Sequence, residues 1–365
     1  MKVVIIGAGL TGACCALALA GEGHGVTVID EHASGEATTA SSGSAILYQT
    51  KDSPLHVGLT RKSLSLWDDL AAACDIPFSR EGSHVLFAGE EQEEFVAQRA
   101  AMLRECGVAV ERLARGDLEG RMPALHPDIR GAYYCPEDGE AHPRQSCIGI
   151  LSAAVKAGVR VCLGERFEGI GSVGGTHVRT SEQTIACDAV IVAAGHWTPA
   201  IVAPYGLDVP SIPERGEQLL TYPAPRLLKG RIISARYTRG KKAGAFVGLA
   251  LGQEYDGRIK IGSTREPGQT ERVTSERARA ALLEELALAF PELARMPIER
   301  QTVGIRSGSP TGLPIVARGD QPVTLIAIDG MGGNGVAYAP LVADIAADML
   351  AGRESEFAAG LRLQA

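Results

Sequence analysis

The first thirty residues restrict the folds open to this chain more than any other stretch. Residues 2–6 form a continuous apolar run, and Gly7, Gly9 and Gly12 follow it in the spacing G-x-G-x-x-G. A second apolar run ends at Asp30, 18 residues after Gly12. A buried strand, a glycine turn, a helix and a second strand are the opening of a βαβ unit with a parallel sheet.

This context gives the glycine motif a chemical meaning. Gly7 permits a tight turn, Gly9 lets a pyrophosphate approach the backbone, and Gly12 lets the helix pack on the strand. The free N–H groups of the helix N-terminus, around Leu10 and Thr11, favour an anion there. Asp30 is placed to accept hydrogen bonds from ribose hydroxyls, and its charge disfavours a 2′-phosphate. The motif predicts a dinucleotide site without distinguishing NAD from FAD.

Composition excludes several other classes of protein. The chain has 365 residues and a formal net charge of −7, so it lacks the basic balance that nucleic-acid binding needs. No run of 18 uncharged apolar residues predicts a membrane span. The glycines at positions 7, 9 and 12 interrupt the apolar N-terminal stretch, so this stretch is not predicted to be a signal peptide.

The eight cysteines show no C-x-x-C spacing, so a zinc or redox-dithiol site is not predicted. We expect no metal site, reduced thiols and a cytoplasmic location. Helices are expected at residues 60–74, 90–106, 143–157 and 274–290, and from Val336 onward. Short strands, among them residues 258–262, are expected between residues 207 and 264.

Four further segments come in a recognisable order. They are residues 35–45 (GEATTASSGSA), 188–197 (DAVIVAAGHW), 304–316 (GIRSGSPTGLPIV) and 330–335 (GMGGNG). With the N-terminal motif, they make nearly the whole chain resemble the D-amino-acid oxidase superfamily of FAD enzymes. Within it the chain is similar to glycine oxidase, the cyanide-synthase flavoprotein subunit, and the β subunits of proline and opine dehydrogenases.

The resemblance implies an α/β and α+β protein of two discontinuous domains. A Rossmann-type FAD-binding domain would comprise residues 1–46, 143–206 and 303–365. A substrate domain, built mostly on an antiparallel sheet, would comprise residues 47–142 and 207–302. The residues themselves agree with this division, because βαβ patterns lie at the two ends of the chain and short strands lie between them.

The resemblance also implies a set of residues for non-covalent FAD. Asp30 and Glu31 would hold the adenosine ribose, and Phe167 would lie beside the adenine. The pyrophosphate and flavin would be lined by Thr39, Ser41, Ser42 and Gly43. The chain would pass beside the cofactor at Ala194, Gly195 and Trp197. The pyrimidine side of the flavin would face Gly330, Met331, Gly332, Gly333, Asn334, Gly335 and Val336, where a helix N-terminus would stabilise negative charge on the reduced ring. Gly304 stands where sarcosine-oxidase relatives carry the cysteine that attaches flavin.

Two arginines are the candidates for the substrate site. Arg306 matches the arginine that holds the substrate carboxylate in glycine-oxidase-like proteins, although Thr302 stands where a tryptophan is common. A guanidinium group suits a bidentate carboxylate and would orient the substrate Cα–H. Arg265 would suit a second carboxylate, as in an opine or an acidic amino acid. Tyr48, Tyr237, Phe246 and Met331 are weaker candidates for the pocket wall.

The expected function is FAD-dependent oxidation of the C–N bond of an amino acid or secondary amine acid, with hydride passing from Cα to flavin N5. A second form of this function is a flavoprotein β subunit that passes electrons to smaller redox subunits. Two functions of different classes also stay open at this point, an NAD-linked dehydrogenase and a non-catalytic flavin-binding protein.

Overall fold

The computed structural model describes residues 1–33, 45–240 and 246–357, with only the backbone of Phe246. In chain order the strands are β1 (Lys2–Ile6), β2 (Gly25–Asp30), β3 (Ala45–Ile46), β4 (Phe78–Ser79), β5 (Ser83–Phe87), β6 (Glu111–Ala114), β7 (Gly131–Cys135), β8 (Gly139–Ala141), β9 (Arg160–Leu163), β10 (Phe167–Gly171), β11 (His177–Thr180), β12 (Thr184–Ala186), β13 (Ala189–Val192), β14 (Ile212–Thr221), β15 (Arg231–Ser234), β16 (Phe246–Gln253), β17 (Ile259–Pro267), β18 (Ile298–Gly308), β19 (Ile315–Gly319) and β20 (Thr324–Asp329). The helices are α1 (Leu10–Gly21), α2 (Pro54–Cys74), α3 (Glu90–Glu105), α4 (Arg115–Leu118), α5 (Pro143–Lys156), α6 (Thr198–Val202), α7 (Ala235–Gly240), α8 (Glu276–Ala287) and α9 (Gly335–Ala351).

A six-stranded sheet joins the two ends of the chain. Its order is β19-β20-β13-β1-β2-β9, and every pair is parallel except β19 with β20. Helix α1 packs against both α9 and α5. Strands β1 and β13 are almost wholly buried, as expected of central strands covered on both faces.

An eight-stranded sheet is formed by the middle of the chain. Its order is β18-β14-β17-β16-β15-β5-β7-β6, and only the β15–β5 pair is parallel. Helix α8 packs on β16, β17 and β14. Its Leu282 and Leu286 are buried there with Leu251 and Ile261 from the sheet. The predicted fold class, a parallel sheet combined with a mostly antiparallel one, is confirmed.

Two helices differ from their predicted bounds because a capping residue determines where each of them begins. Helix α2 begins at Pro54 rather than at residue 60, because Ser53 caps it and proline suits the first turn. Ser275 likewise caps α8, which is shorter than residues 274–290. Strand β17 continues to Pro267, so Arg265 lies in a strand. The predicted boundary at residue 303 falls inside β18, and the domain division stays a prediction.

All eight cysteines are free thiols. Cys14 and Cys15 are buried in α1, and burial raises the pKa of Cys15 to about 12. This thiol therefore stays protonated and packs as a small apolar side chain. Among the described residues, no helix is both long and apolar enough to cross a membrane.

Asp138 is a fully buried carboxylate that joins separate elements. It accepts hydrogen bonds from the backbone N–H of Tyr48 at 2.6 Å and from Ser83 Oγ at 2.6 Å. Burial raises its pKa to about 6, although these hydrogen bonds oppose the shift. Because the folded-state pKa lies above the unfolded value, the stability that Asp138 contributes is complete at low pH and falls as the pH rises through about 6.

We predict that Asp138→Asn weakens this pH dependence. Between pH 5 and pH 7.5 the free energy of unfolding of the native protein should fall relative to that of the variant by about 1 kcal/mol, the size expected for one acid with this shift. Urea unfolding of both proteins at the two pH values measures the difference. Asp69→Asn, at an exposed position on α2, is the control. Parallel pH profiles for native protein and Asp138→Asn would contradict the prediction.

Candidate active site

A close backbone contact between Gly7 and Gly12 sets the direction of helix α1. Gly7 has a φ of +109°, and a Cβ at Gly12 would lie 1.9 Å from the carbonyl oxygen of Gly7. The helix can pack this closely on the end of β1 only because residue 12 has no side chain. Gly9 is the N-cap of α1 and supplies no side-chain hydrogen bond, so N–H groups of the first turn stay available for a ligand.

A cavity of about 630 Å³ opens at this helix terminus. It runs from the β10 region, past the first turn of α1, to the face of the eight-stranded sheet. Most of the predicted site residues line it: Gly7, Gly9, Leu10, Thr11, Asp30, Glu31, Phe167, Ala194, Gly195, Trp197, Arg306, Met331, Gly332, Gly333, Asn334, Gly335 and Val336.

The remaining predicted residues do not line this cavity. Gly12 acts through packing, while Gly330 and Arg265 lie on the wall of a second cavity. Thr39, Ser41, Ser42 and Gly43 lie outside the described residues. All eight cysteines are in the described part of the chain, and none lines the main cavity.

Asp30 already holds the glycine turn in place. Its carboxylate accepts hydrogen bonds from the N–H of Ala8 at 2.7 Å and from the N–H of His32 at 2.8 Å. A carboxylate has about four acceptor positions. Asp30 can therefore keep both bonds and still accept hydrogen bonds from ribose hydroxyls.

Aromatic and cationic groups cover one edge of the cavity. The Trp197 ring contacts the His196 ring in a tilted arrangement with ring centroids 3.8 Å apart, and the Arg272 guanidinium lies 5.1 Å from the Trp197 ring. Burial and Arg272 lower the pKa of His196 to about 4, so its imidazole is neutral at pH 7. Among the described residues, no cluster of three His, Cys, Asp or Glu side chains is arranged to hold a metal ion.

The opposite wall is formed by the start of α9. Asn334 is the N-cap of this helix and makes no side-chain capping bond. Its Oδ1 instead accepts a hydrogen bond from Lys51 Nζ at 2.5 Å. The apolar remainder of α9 is buried, which fixes its N-terminus against the cavity. This helix begins at Gly335, one residue before its predicted start.

Arg306 lies where the main cavity meets the second one. It extends from β18 across β14, where a Cβ at Gly216 would come within 2.3 Å of its Nη1. Nη1 donates to the backbone oxygen of Thr264 at 3.2 Å. Among the described residues this is the only hydrogen bond of the guanidinium, and it forms no ion pair there. Burial lowers its pKa from the ordinary arginine value, and Tyr237 and Glu214 oppose this effect.

The second cavity, of about 370 Å³, extends from Arg306 towards α3. Arg265 projects into its wall from β17 and contacts the carboxylate of Glu214. Tyr237 and Met331 line both cavities. Tyr48 is buried and lines neither, and the Phe246 side chain lies outside the described residues.

Sequence reasoning missed several polar residues that the sheet presents to the main cavity. Gln218, Arg231, Lys260 and Asp329 line it from three strands of one sheet and the end of another. Arg231 pairs with Glu140 at 2.9 Å and Lys260 with Glu254 at 2.6 Å. Burial raises the pKa of Asp329 to about 6, and its carboxylate accepts a hydrogen bond from Ser211 at 2.6 Å. In the sequence these polar residues alternate with apolar ones, and this alternation was the available signal for them. It does not reveal which cavity the polar side chains face.

Comparison with known proteins matches residues 2–349 to the model of the DAO family of FAD dependent oxidoreductases. The chain belongs to this family. It is 27% identical to glycine oxidase of Geobacillus kaustophilus, over 97% of this chain and 94% of that protein. The crystal structure of glycine oxidase from that organism superposes with a TM-score of 0.89, covering 100% of this chain and 98% of that one.

Two other relatives have different activities. The chain is 25% identical to hydrogen cyanide synthase subunit HcnC of Pseudomonas aeruginosa, over 86% of this chain and 84% of that protein. It is 26% identical to a D-amino acid dehydrogenase of Cereibacter sphaeroides, over 98% of this chain and 93% of that protein. The chain is an FAD-dependent amino acid oxidoreductase of the glycine oxidase and D-amino acid dehydrogenase type.

The described residues fit FAD. The cavity is elongated, the glycine contact leaves room for a pyrophosphate beside the backbone, and two helix N-termini without side-chain caps border it. Asp30 retains acceptor capacity at one end. When bound, FAD would accept a hydride, which is two electrons and one proton, from the substrate C–H bond.

We predict that Gly12→Ala removes most of the bound FAD. The added methyl group would overlap the Gly7 carbonyl and push α1 away from β1, and overpacking of this kind costs enough to reduce cofactor occupancy about tenfold or more. The flavin-to-protein ratio of the purified variant, read from absorbance, measures the effect.

Gly21→Ala is the matched control, because a Cβ at this position in the same helix meets nothing within 4 Å. It should bind FAD as the native protein does. Full FAD content in Gly12→Ala would show that the Gly7–Gly12 contact does not aim the helix.

Proposed function

We propose that this protein oxidises the C–N bond of an amino acid or a secondary amine acid whose carboxylate is bound by Arg306. The observation that supports this proposal most strongly is the position of the Arg306 guanidinium, which lies at the junction of the two cavities. It makes a single backbone hydrogen bond among the described residues and keeps other donors towards the cavity space. A partly desolvated arginine with unused donors is well suited to a carboxylate ligand.

The role of Arg306 would be to orient the substrate. A bidentate contact with the carboxylate would fix the position of Cα and would orient its hydrogen for transfer to bound flavin. The close packing of the guanidinium on Gly216 restricts its own movement. The substrate amine must be neutral for this transfer, and no protein acid or base is required. The imine product is then hydrolysed by water.

The predicted FAD contacts form part of this proposal. Asp30 and Glu31 would bind the adenosine ribose, Phe167 would lie beside adenine, and the start of α9 would face the flavin pyrimidine. The two sheets would divide these tasks, with the six-stranded sheet holding FAD and the eight-stranded sheet covering the substrate.

We propose that Arg265 borders the substrate site and that it matters for substrates that have a second acidic group. It lines the second cavity. Its contact with Glu214 compensates much of its charge, so its attraction for a further carboxylate is smaller than that of an arginine without an acidic neighbour.

The proposal has two forms, which differ in the electron acceptor: oxygen in one, and partner redox subunits in the other. Glycine oxidase among the relatives favours oxygen, whereas the dehydrogenase relative and the relative named as a synthase subunit favour transfer to partner redox subunits. Admitting air to the reduced protein separates them, because rapid return of the flavin absorbance shows an oxidase. Slow return, with co-purification of smaller redox subunits, supports the second form. The cytoplasm, predicted from the cysteine pattern, is kept as the proposed location.

We predict that Arg306→Gln weakens substrate binding. Loss of the charged contact should raise the substrate concentration that half-saturates flavin reduction about 100-fold. The measurement is an anaerobic titration near 450 nm with glycine, sarcosine, D-amino acids, proline, hydroxyproline and opines. Arg144→Gln, at an exposed position on α5, is the control and should reduce like the native protein.

Two results would contradict this function. An Arg306→Gln protein that is reduced at unchanged concentrations would remove Arg306 from the substrate site. A native protein with bound FAD that none of these compounds reduces would favour a non-catalytic flavin protein.

A further inference from the structure

The second cavity carries more positive than negative charge. Among the described residues that line it, the cations are Lys51, Arg99, Arg265 and Arg306, and the carboxylates are Asp52 and Glu214. The excess of two positive charges, with His56 left out of the count, lies within a space of about 370 Å³. A partly enclosed site with this balance attracts anionic ligands.

The two carboxylates of this cavity already have partners. Asp52 Oδ1 lies 2.9 Å from His56 Nδ1, and Glu214 contacts Arg265. Neither carboxylate forms a salt bridge with Arg99 or Arg306. Among the described residues, Arg99 and Arg306 are therefore cations of this cavity that no carboxylate contacts.

Arg99 is the cation that the proposed function does not use. It lies in α3, half-buried, and its guanidinium is 5.3 Å from the centre of the Phe95 ring. Among the described residues it forms no hydrogen bond and no ion pair, and only Asp52 attracts it through space. Burial lowers its pKa, which shows that the charge is partly desolvated without a contacting counter-ion. Such an arrangement is stabilised when a ligand supplies the anion.

We propose that the substrate carries a second carboxylate, and that Arg99 binds it while Arg306 binds the first. This inference rests on the proposed function, because it needs an amino acid or secondary amine acid on Arg306. A dicarboxylic substrate with a neutral amine has a charge of −2, which matches the excess of the cavity. Arg265 borders the same space, with its charge shared with Glu214.

The test compares dicarboxylic acids with analogues that keep the first carboxylate and lack the second one, called here the uncharged partners. Native protein is titrated anaerobically with glutamate against glutamine and aspartate against asparagine, each as D and L forms, and with iminodiacetate against sarcosine. The limiting rate of flavin reduction and the half-saturating concentration are recorded separately for each compound. We expect at least one acid to half-saturate at a concentration on the order of 10-fold below that of its uncharged partner.

Arg99→Gln should abolish this preference. It should raise the half-saturating concentration of the preferred acid about 10- to 100-fold, the range for a lost charge-assisted contact, and leave the uncharged partner and the limiting rates unchanged. Arg99→Lys should restore part of the preference, because it keeps the charge but not the planar fork. Arg277→Gln, at an exposed position on α8 that lines neither cavity, is the matched control.

The outcomes separate this inference from the proposed function. If uncharged amino acids reduce the flavin as well as the acids do, or if the preference survives in Arg99→Gln, the inference is overturned while the function stands. If none of these compounds reduces the flavin of the native protein but glycine, proline, hydroxyproline or an opine does, the inference is again overturned while the function stands. If neither series reduces the flavin, the function fails and the inference fails with it. Thermal midpoint and flavin content confirm folding of each variant, and Arg99→Lys provides the comparison if Arg99→Gln does not fold.

Discussion

The contact between Gly7 and Gly12 sets the geometry on which the cavity depends. It brings the first turn of α1, which has no side-chain cap, against the end of β1, so that N–H groups of this turn point at one place. Asp30 ties the same turn to the end of β2 through the N–H of Ala8. Helix α1 then provides the surface on which α9 packs, and α9 directs its own uncapped N-terminus at the far end of the cavity. One backbone approach thus positions both helix termini.

The sequence was most informative where a local pattern has one structural solution. The strand, glycine turn, helix and acid between Lys2 and Asp30 predicted the βαβ unit, and the structure confirms it. The order of the other motifs predicted the family and the combination of a parallel with a mostly antiparallel sheet, and the comparisons confirm the family. Within each of these motifs the residues that carry the prediction are neighbours in the chain, so the geometry of the motif is local.

The substrate side was harder to predict, because its geometry arises from pairing between distant strands. Arg306 was found by its motif, but its course over Gly216 to the Thr264 carbonyl depends on the register of β18, β14 and β17. Arg99 belongs to a helix whose sequence resembles any charged surface helix, and only the tertiary structure places it in a cavity. The contact between Arg265 and Glu214 likewise joins residues 51 positions apart.

The interleaved topology has a consequence for how the protein acquires its cofactor during synthesis. The eight-stranded sheet uses residues 83–308, whereas the six-stranded sheet needs both Lys2–Ile6 and Thr324–Asp329. Domains tend to fold as units while the chain leaves the ribosome. Here the sheet whose first strand, β1, is made early is completed only after β20 has been made. Until α9 has been made, the nascent chain lacks one wall of the nucleotide cavity, so cofactor capture there must follow the synthesis of this helix.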